Sequence, residues 1–554
     1  MAIEISRGIL DSRKEKMSQT TVNGASVCQG ILLSIKNLFE GGCNMAAITG
    51  KSPIIRLDKE DNIVVARAEI KAGTFIPEEN VVIKNDIPLG HKFAAHDIKK
   101  GETILKYNTA IGTAARDIAA GEHVHINEIH FERTQKEYEY CVDYKPLEIV
   151  PEEKRRTFMG IVREDGRIAT RNCICVIVCS NCAATVARKI AAHFDEEILR
   201  QFPNVDAVVP LIHQSGCGLE RTGADIDNLR QLIAGTVKHP NMYGAVIVAL
   251  GCEVVNIDTL IDMKELKGTN IGRLVIQEEG GSRKAVAKGI ELIKNMLPEA
   301  NKIHRQPVPI SELKVGMECG GSDTFSGIGA NPALGKAMDK LCKEGGSCVL
   351  TEPTELIGCE GAIVRRAKDS ETAQKVIDMM QYWLKEGEGR DCQIYGKVSP
   401  GNNAGGISNV LEKALGSAKK GGSTPLNDVI WYAEPLTQPG FNIMNSPSYD
   451  PMSAAALFAS GCNMLAFTTG RGSCYGTRHM PTVKISSNTK LYEFQNDDMD
   501  INAGTIADGT ETIDEVADRI FEAIIEAASG KKTKSELFGM GCDEFAVWSH
   551  GMIS

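Results

Sequence analysis

The stretch ICVIVCSNCAATVARKIAAHF, residues 174–194, holds the reading on which the fold turns. Its first five residues are apolar or thiol-bearing with no polar break, as in a strand buried on both faces, and a helix over 183–194 is read directly after it. Runs of the same character recur at 207–212 and 245–250. Strands alternating with helices predict a layered α/β domain with a parallel sheet. Each run ends at a cysteine beside Gly, Ser or Asn, in CSNCAAT (179–185), IHQSGCGLE (212–220) and ALGCEVV (249–255).

Strand ends in an open α/β sheet converge on one crevice, so Cys182, Cys217 and Cys252 are expected to meet there around a metal. Three thiolates with one open coordination position suit an iron centre that draws hydroxide from a hydroxy acid. The plainer alternative is three buried structural cysteines, since free Cys is among the most buried residue types. The Cys179-x-x-Cys182 spacing also admits thiol redox chemistry, a weaker reading.

A chain of 554 residues is too long for one core. Apolar content of 42%, aromatics of 5% and 54 glycines describe a loop-rich α/β enzyme. The apolar runs fall short of the roughly 20 residues that a spanning helix needs, so no membrane role is expected. A net charge of -10 without a basic block argues against nucleic acid as partner. Seventeen cysteines with no secretory signal point to a reducing compartment, and a cytoplasmic location is expected.

Residues 1–51 read as a poorly ordered extension with an amphipathic helix near 31–39. From 52 to 134 short strands alternate with turns such as Lys71-Ala72-Gly73 and Ala120-Gly121-Glu122, predicting a compact β module. Residues 135–156, rich in Glu and Lys, read as a linker. A central α/β domain is expected over 157–310 and a C-terminal α/β domain over 311–554. The latter carries loops that mix glycine with polar residues: Glu318 to Asp323, Thr351 to Glu355, Ser399 to Gly406 and Thr468 to Gly472. Such loops let backbone approach a ligand closely.

GHKFA (90–94), AGEHVH (120–125), GCE (251–253), ECGGSDTFSGIGANPALG (318–335), SPGNNAGG (399–406) and FTTGRGS (467–473) together resemble the altronate and galactarate dehydratase family of sugar-acid hydro-lyases. The resemblance covers nearly the whole chain from Arg56 onward. It implies an N-terminal SAF-type, β-clip-like domain followed by two α/β domains. The implied reaction is loss of water from an aldonate or aldarate, giving a 2-keto-3-deoxy sugar acid, with ferrous iron. The opening GIVREDGRIATRN (160–172) is more similar to the altronate branch. Family members commonly carry Tyr-Gly-Cys where this chain has Ser215-Gly216-Cys217.

Dehydrating a sugar acid takes a proton from the carbon beside the carboxylate and expels hydroxide from the next carbon, which calls for a base and a Lewis acid. The expected iron ligands are Cys182, Cys217 and Cys252, with Cys319 in reserve. Either a 4Fe-4S cluster with one open iron or a mononuclear Fe2+ site satisfies this reading. Candidate bases are His213 and Glu253 on the cysteine loops, with His91 and Lys92 of the β module as a second group. His123 and His125 alternate along a strand and so share a face, where they could bind metal. Asn181 lies at a helix N-terminus able to hold a carboxylate, and Arg283 and Arg471 can bind one bidentately. Ser322, Asp323, Glu352 and Asn402 are expected to hold hydroxyls or metal. The expected partner is a small sugar acid, with a homo-oligomer allowed. The alternatives are galactarate as substrate and a sugar-acid-binding protein without catalysis.

Overall fold

A computed structural model describes residues 52–131, 137–260, 270–390, 392, 398–549 and 551; the expected extension over 1–51 lies outside them. The N-terminal module pairs Ile54–Ile55, Ile63–Ala66, Lys92–Ala94 and His123–Val124 into an antiparallel sheet in that order. A second sheet joins Thr103–Lys106, Thr109–Ala114 and Ile129–His130. Asn62 ties the two together, because its amide donates to Thr103 O (2.7 Å) and accepts from Leu105 N (2.8 Å), as a backbone partner would. Gly121 is required at its turn: φ is +79°, and an added Cβ would lie 2.1 Å from Val82 O.

Residues 137–156 run along the C-terminal domain. Cys141 N donates to Val364 O (3.0 Å), Asp143 N to Arg365 O (2.8 Å) and Val150 N to Lys343 O (2.8 Å). The expected linker is therefore docked along much of its length.

In the central domain four parallel strands lie in the order Ala207–Leu211, Cys173–Val178, Met242–Ala249, Asn270–Val275. The first strand in sequence lies between the second and third, so the chain reverses direction across the sheet at that strand. Ile174, Val176 and Val178 face one way, onto a core with Val186, Ile190 and Ile293 from helices Ala184–Ala191 and Ser282–Ala300. Cys173, Cys175 and Ile177 face the other way, into a core shared with the C-terminal domain. The period of two thus serves two interfaces, which is why the run carries no polar residue. Helix Ala224–Lys238 meets helix Asp450–Ala459 so closely that a Cβ on Gly235 would lie 2.3 Å from Ala459 O.

The C-terminal domain holds seven parallel strands in the order Leu426–Ile430, Gly440–Met444, Ser347–Leu350, Lys314–Cys319, Met464–Thr469, Thr482–Ser486, Ile501–Asn502. Here too the first strand in sequence has the second on one side and a late strand on the other. Buried Arg171 locks the two α/β domains, pairing with Glu536 (2.6 Å) and donating to Ala527 O (2.8 Å). The architecture is a small antiparallel β module followed by layered α/β structure with parallel sheets.

Candidate functional site

Strand Lys314–Cys319 leads to Ser347–Leu350 on one flank and has Met464–Thr469 on the other, so its carboxyl end is a topological switch point, where open α/β sheets bind ligands. A cavity of about 190 Å³ opens there, lined by Cys319, Glu352, Glu355, Asn402, Lys413 and Asp450 among others. It is smaller than the roughly 300–1,000 Å³ of sites for drug-sized ligands and suits a small polar ligand.

The wall chemistry is ionic. Lys420 Nζ donates to Cys319 Sγ at 2.9 Å, and that thiol donates to Glu355 Oε2 at 3.1 Å. Lys413 Nζ lies 2.7 Å from Glu355 Oε1. Burial would push Glu355 upward, but Lys413 and Lys420 outweigh it and hold the carboxyl at about 2. Glu318 is pushed up to about 8 by burial and by Asp450, and Asp450 to about 6 by burial and by Glu355. Glu352 is raised well above the carboxylate range by burial, then by Glu318 and Glu355.

Glu352 is also held in the left-handed region, with φ +58°, a conformation that costs a non-glycine residue energy and clusters at functional sites. Its Oε2 and that of Glu318 are buried and have no hydrogen-bond partner. Ligand atoms of Cys319, Glu352 and Glu355 all lie within 4.8 Å of one another, as do those of Glu318, Glu352 and Asp450. If ionised, these four carboxyls outnumber the two lysine charges by two, which one divalent cation would balance. Orphaned oxygens, spacing and charge all fit a metal ion, and the mixed thiol and carboxylate donors suit a borderline metal better than magnesium.

The structure divides the expected site residues among several places. Glu352, Asn402 and Cys319 line the cavity. Cys319 is thus corrected from reserve ligand of the cysteine trio: its neighbours are Glu355, Lys420 and Lys413. Arg471 is exposed at the rim, where its side chain packs on Gly321, a lining residue. Asp323 sits behind the wall, fully engaged: Oδ1 accepts from Ser326 N (2.8 Å) and Ser487 Oγ (2.6 Å), and Oδ2 from Asn488 Nδ2 (3.0 Å). It fastens two loops, 321–326 and 487–488. Ser322 O accepts from Asn402 Nδ2 (2.9 Å), bracing that loop to the wall.

Lys92 is buried between the β module and the C-terminal domain, donating to Gly406 O (2.9 Å) and to both oxygens of Glu412 (3.2 and 3.0 Å). Lys106 shares Glu412 at 2.5 Å. Lys92 thus joins the two domains, and burial lowers it to about 8. His91 gathers with His123 and His125, ring centroids 4.7–5.6 Å apart. His91 Nδ1 lies 3.0 Å from His123 Nε2, and burial lowers His91 to about 4, so it is neutral at physiological pH.

Cys182, Cys217 and Cys252 are exposed at the carboxyl edge of the central sheet. Desolvation and then the nearby Cys182 and Cys252 raise the Cys217 thiol. The reading of three buried structural cysteines is overturned by this exposure. His213 beside them has both ring nitrogens engaged, Nε2 2.9 Å from Val178 O and Nδ1 accepting from Ser215 N at 3.2 Å. Burial lowers it to about 4. Glu253 is likewise spent, accepting from Leu250 N (2.7 Å) and Gly251 N (2.5 Å). Asn181 Nδ2 donates to His213 O (3.0 Å), bracing a loop, and Arg283 is exposed in the first turn of helix Ser282–Ala300 on the same edge.

Sequence reasoning passed over Glu318, Glu355, Lys413, Lys420 and Asp450. Glu318 and Glu355 stand inside loops already singled out, so loop membership was a usable signal. The lysines lie on and just after helix Val410–Ser417 with no spacing to mark them.

Three family models match the chain: an altronate/galactarate dehydratase SAF domain over residues 52–132, a D-galactarate dehydratase/altronate hydrolase second domain over 160–301, and a D-galactarate/altronate dehydratase C-terminal domain over 310–553. An altronate dehydratase of Bacillus subtilis is 37% identical over 491 residues, covering 87% of this chain and 96% of that one. An altronate dehydratase of Escherichia coli is 34% identical over 87% and 96% of the two chains. The galactarate dehydratase (L-threo-forming) of Escherichia coli is 33% identical over 90% and 97%. Matched from the SAF module to the C-terminal pocket, the chain belongs to the altronate/galactarate dehydratase family of hydro-lyases.

Proposed function

We propose that this hydro-lyase dehydrates a D-altronate-type aldonate to a 2-keto-3-deoxy sugar acid in the C-terminal pocket, with iron assistance. The observation that carries the reading is the gathering of Cys319, Glu352 and Glu355, ligand atoms within 4.8 Å of one another, in a cavity that also presents Asp450. Asp450, near 6, is largely ionised at neutral pH and can take the proton beside the substrate carboxylate. Without a metal, burial and its acidic neighbours favour the protonated form of Glu352, which can then deliver a proton to the departing hydroxyl. Lys413 and, at the rim, Arg471 are the cations placed to hold the substrate carboxylate. Asn402, braced by Ser322, presents an amide to the sugar hydroxyls. Held by Cys319, Glu352 and Glu355, an Fe2+ ion would supply Lewis acidity at the leaving oxygen in place of the Glu352 proton.

Altronate is preferred over galactarate because the altronate dehydratases reach 37% and 34% identity against 33%. The reading places the enzyme in a reducing, cytoplasmic setting: every cysteine among the described residues is unbridged, and no helix among them is long and apolar enough to cross a membrane. It includes a homo-oligomer, which light scattering checks. Anaerobic turnover with ferrous iron tests the substrate. Altronate should exceed galactarate by roughly tenfold or more; equal or greater turnover of galactarate contradicts the assignment, and no keto-acid from either contradicts the pocket chemistry.

A further inference from the structure

Cys182, Cys217 and Cys252 lie outside the pocket just described, on a different sheet. The central strands follow the order second, first, third, fourth, so the switch point lies between Cys173–Val178 and Met242–Ala249. Cys182 and Cys252 follow those two strands, and Cys217 follows Ala207–Leu211 on the other flank of the first. The carboxyl end of a switch point is where this class of sheet binds ligands. Here the residues delivered to it are three exposed thiols.

The loops are built to hold those thiols in place. His213 spends both ring nitrogens and Glu253 both oxygens on loop backbone, while Asn181 ties the Cys182 loop to the Cys217 loop through its side chain (3.0 Å) and its own N–H to Ser215 O (3.2 Å). Gly216, at φ +108°, lets the Cys217 loop press on the Cys182 loop: a Cβ there would lie 2.2 Å from Cys179 O. With these polar groups committed inward, the thiols are left facing outward.

The spacing selects the occupant. Two thiolates on a single ion stand at most about 4.6 Å apart, twice the metal–sulfur bond. Sets whose ligand atoms all fall within 4.8 Å occur among the described residues in the C-terminal pocket, and the cysteine trio is not one of them. A cluster interposes its own iron and sulfide between its ligands and takes a wider set. We propose that Cys182, Cys217 and Cys252 ligate a 4Fe-4S cluster through three thiolates, leaving one iron free of cysteine, as a metal centre separate from the C-terminal pocket. Each thiol gives up its proton to solvent on ligation.

The test uses the full-length chain purified without oxygen from iron-replete culture, with iron and acid-labile sulfide measured per chain and the reduced protein examined by electron paramagnetic resonance. About four sulfides per chain and a cluster signal are expected, both lost in C182S, C217S and C252S and retained in C474S and E352Q. C474S removes an exposed thiol elsewhere. Retention in E352Q separates this centre from the pocket, whose failure would leave the sulfide count unchanged. Iron without sulfide, a cluster that survives loss of any of the three cysteines, or a Cys182–Cys217 disulfide with no iron would overturn the proposal. The wild-type sulfide count decides even where a variant fails to fold.

Discussion

His213 shows how one residue's contacts fix what it can do. Its ring bridges Val178 O and Ser215 N, and burial holds it neutral, so it has no nitrogen to offer a substrate. His213→Gln should cost about 1–3 kcal/mol of stability, read by denaturant unfolding, with the pH–rate profile unchanged. A shift in that profile would restore it as a base. The sequence revealed the loop and its histidine but not the direction of the ring, because a polar side chain beside a strand end serves backbone as readily as substrate. Asp323 makes the same point: the glycine-rich motif was legible, while its role as the fastener of loops 321–326 and 487–488 depended on contacts across more than 160 residues. Glu352 went the other way: its Oε2 has no hydrogen-bond partner and its backbone is left-handed, as fits the role proposed for it.

At the scale of elements, the docking of the β module on helix Val410–Ser417 rests on Lys92, Lys106 and Glu412, all essentially without solvent. Burial would raise Glu412, but Lys106 and Lys92 overcome it and hold the carboxyl far below its usual 4.5. A depressed carboxylate stabilises the folded state fully above its unfolded value and loses that contribution as pH falls toward the folded one. Acid should therefore loosen the module progressively below about pH 4.5. Glu412→Gln should remove that acid limb and cost about 3–5 kcal/mol at neutral pH, since two buried ammonium groups lose their counterion. Thermal melts from pH 3 to 7 check both, and an unchanged acid limb would contradict the clamp. GHKFA was readable as a motif, but Glu412 lies over 300 residues away, so the pair appears only in three dimensions.

Across the whole molecule, two parallel sheets each present a switch point, one furnished with thiols and the other with carboxyls and lysines. The sequence reading joined them into a single centre, because cysteine loops and acidic glycine loops both follow strands and nothing in their spacing says which sheet a strand enters. The strands themselves were legible to within a few residues, since burial on both faces leaves uninterrupted apolar runs; 245–250 proved to be the end of Met242–Ala249. The family motifs carried the order of the modules. On the proposed function, the dehydration is a property of the C-terminal pocket. The most direct measurement is anaerobic steady-state turnover of altronate with ferrous iron by Glu352→Gln and Asp450→Asn, each with its melting temperature. Loss of about 100-fold or more in kcat with a melting temperature near that of the parent is the predicted result; turnover within a few-fold of the parent by both variants would contradict the pocket as the place of reaction.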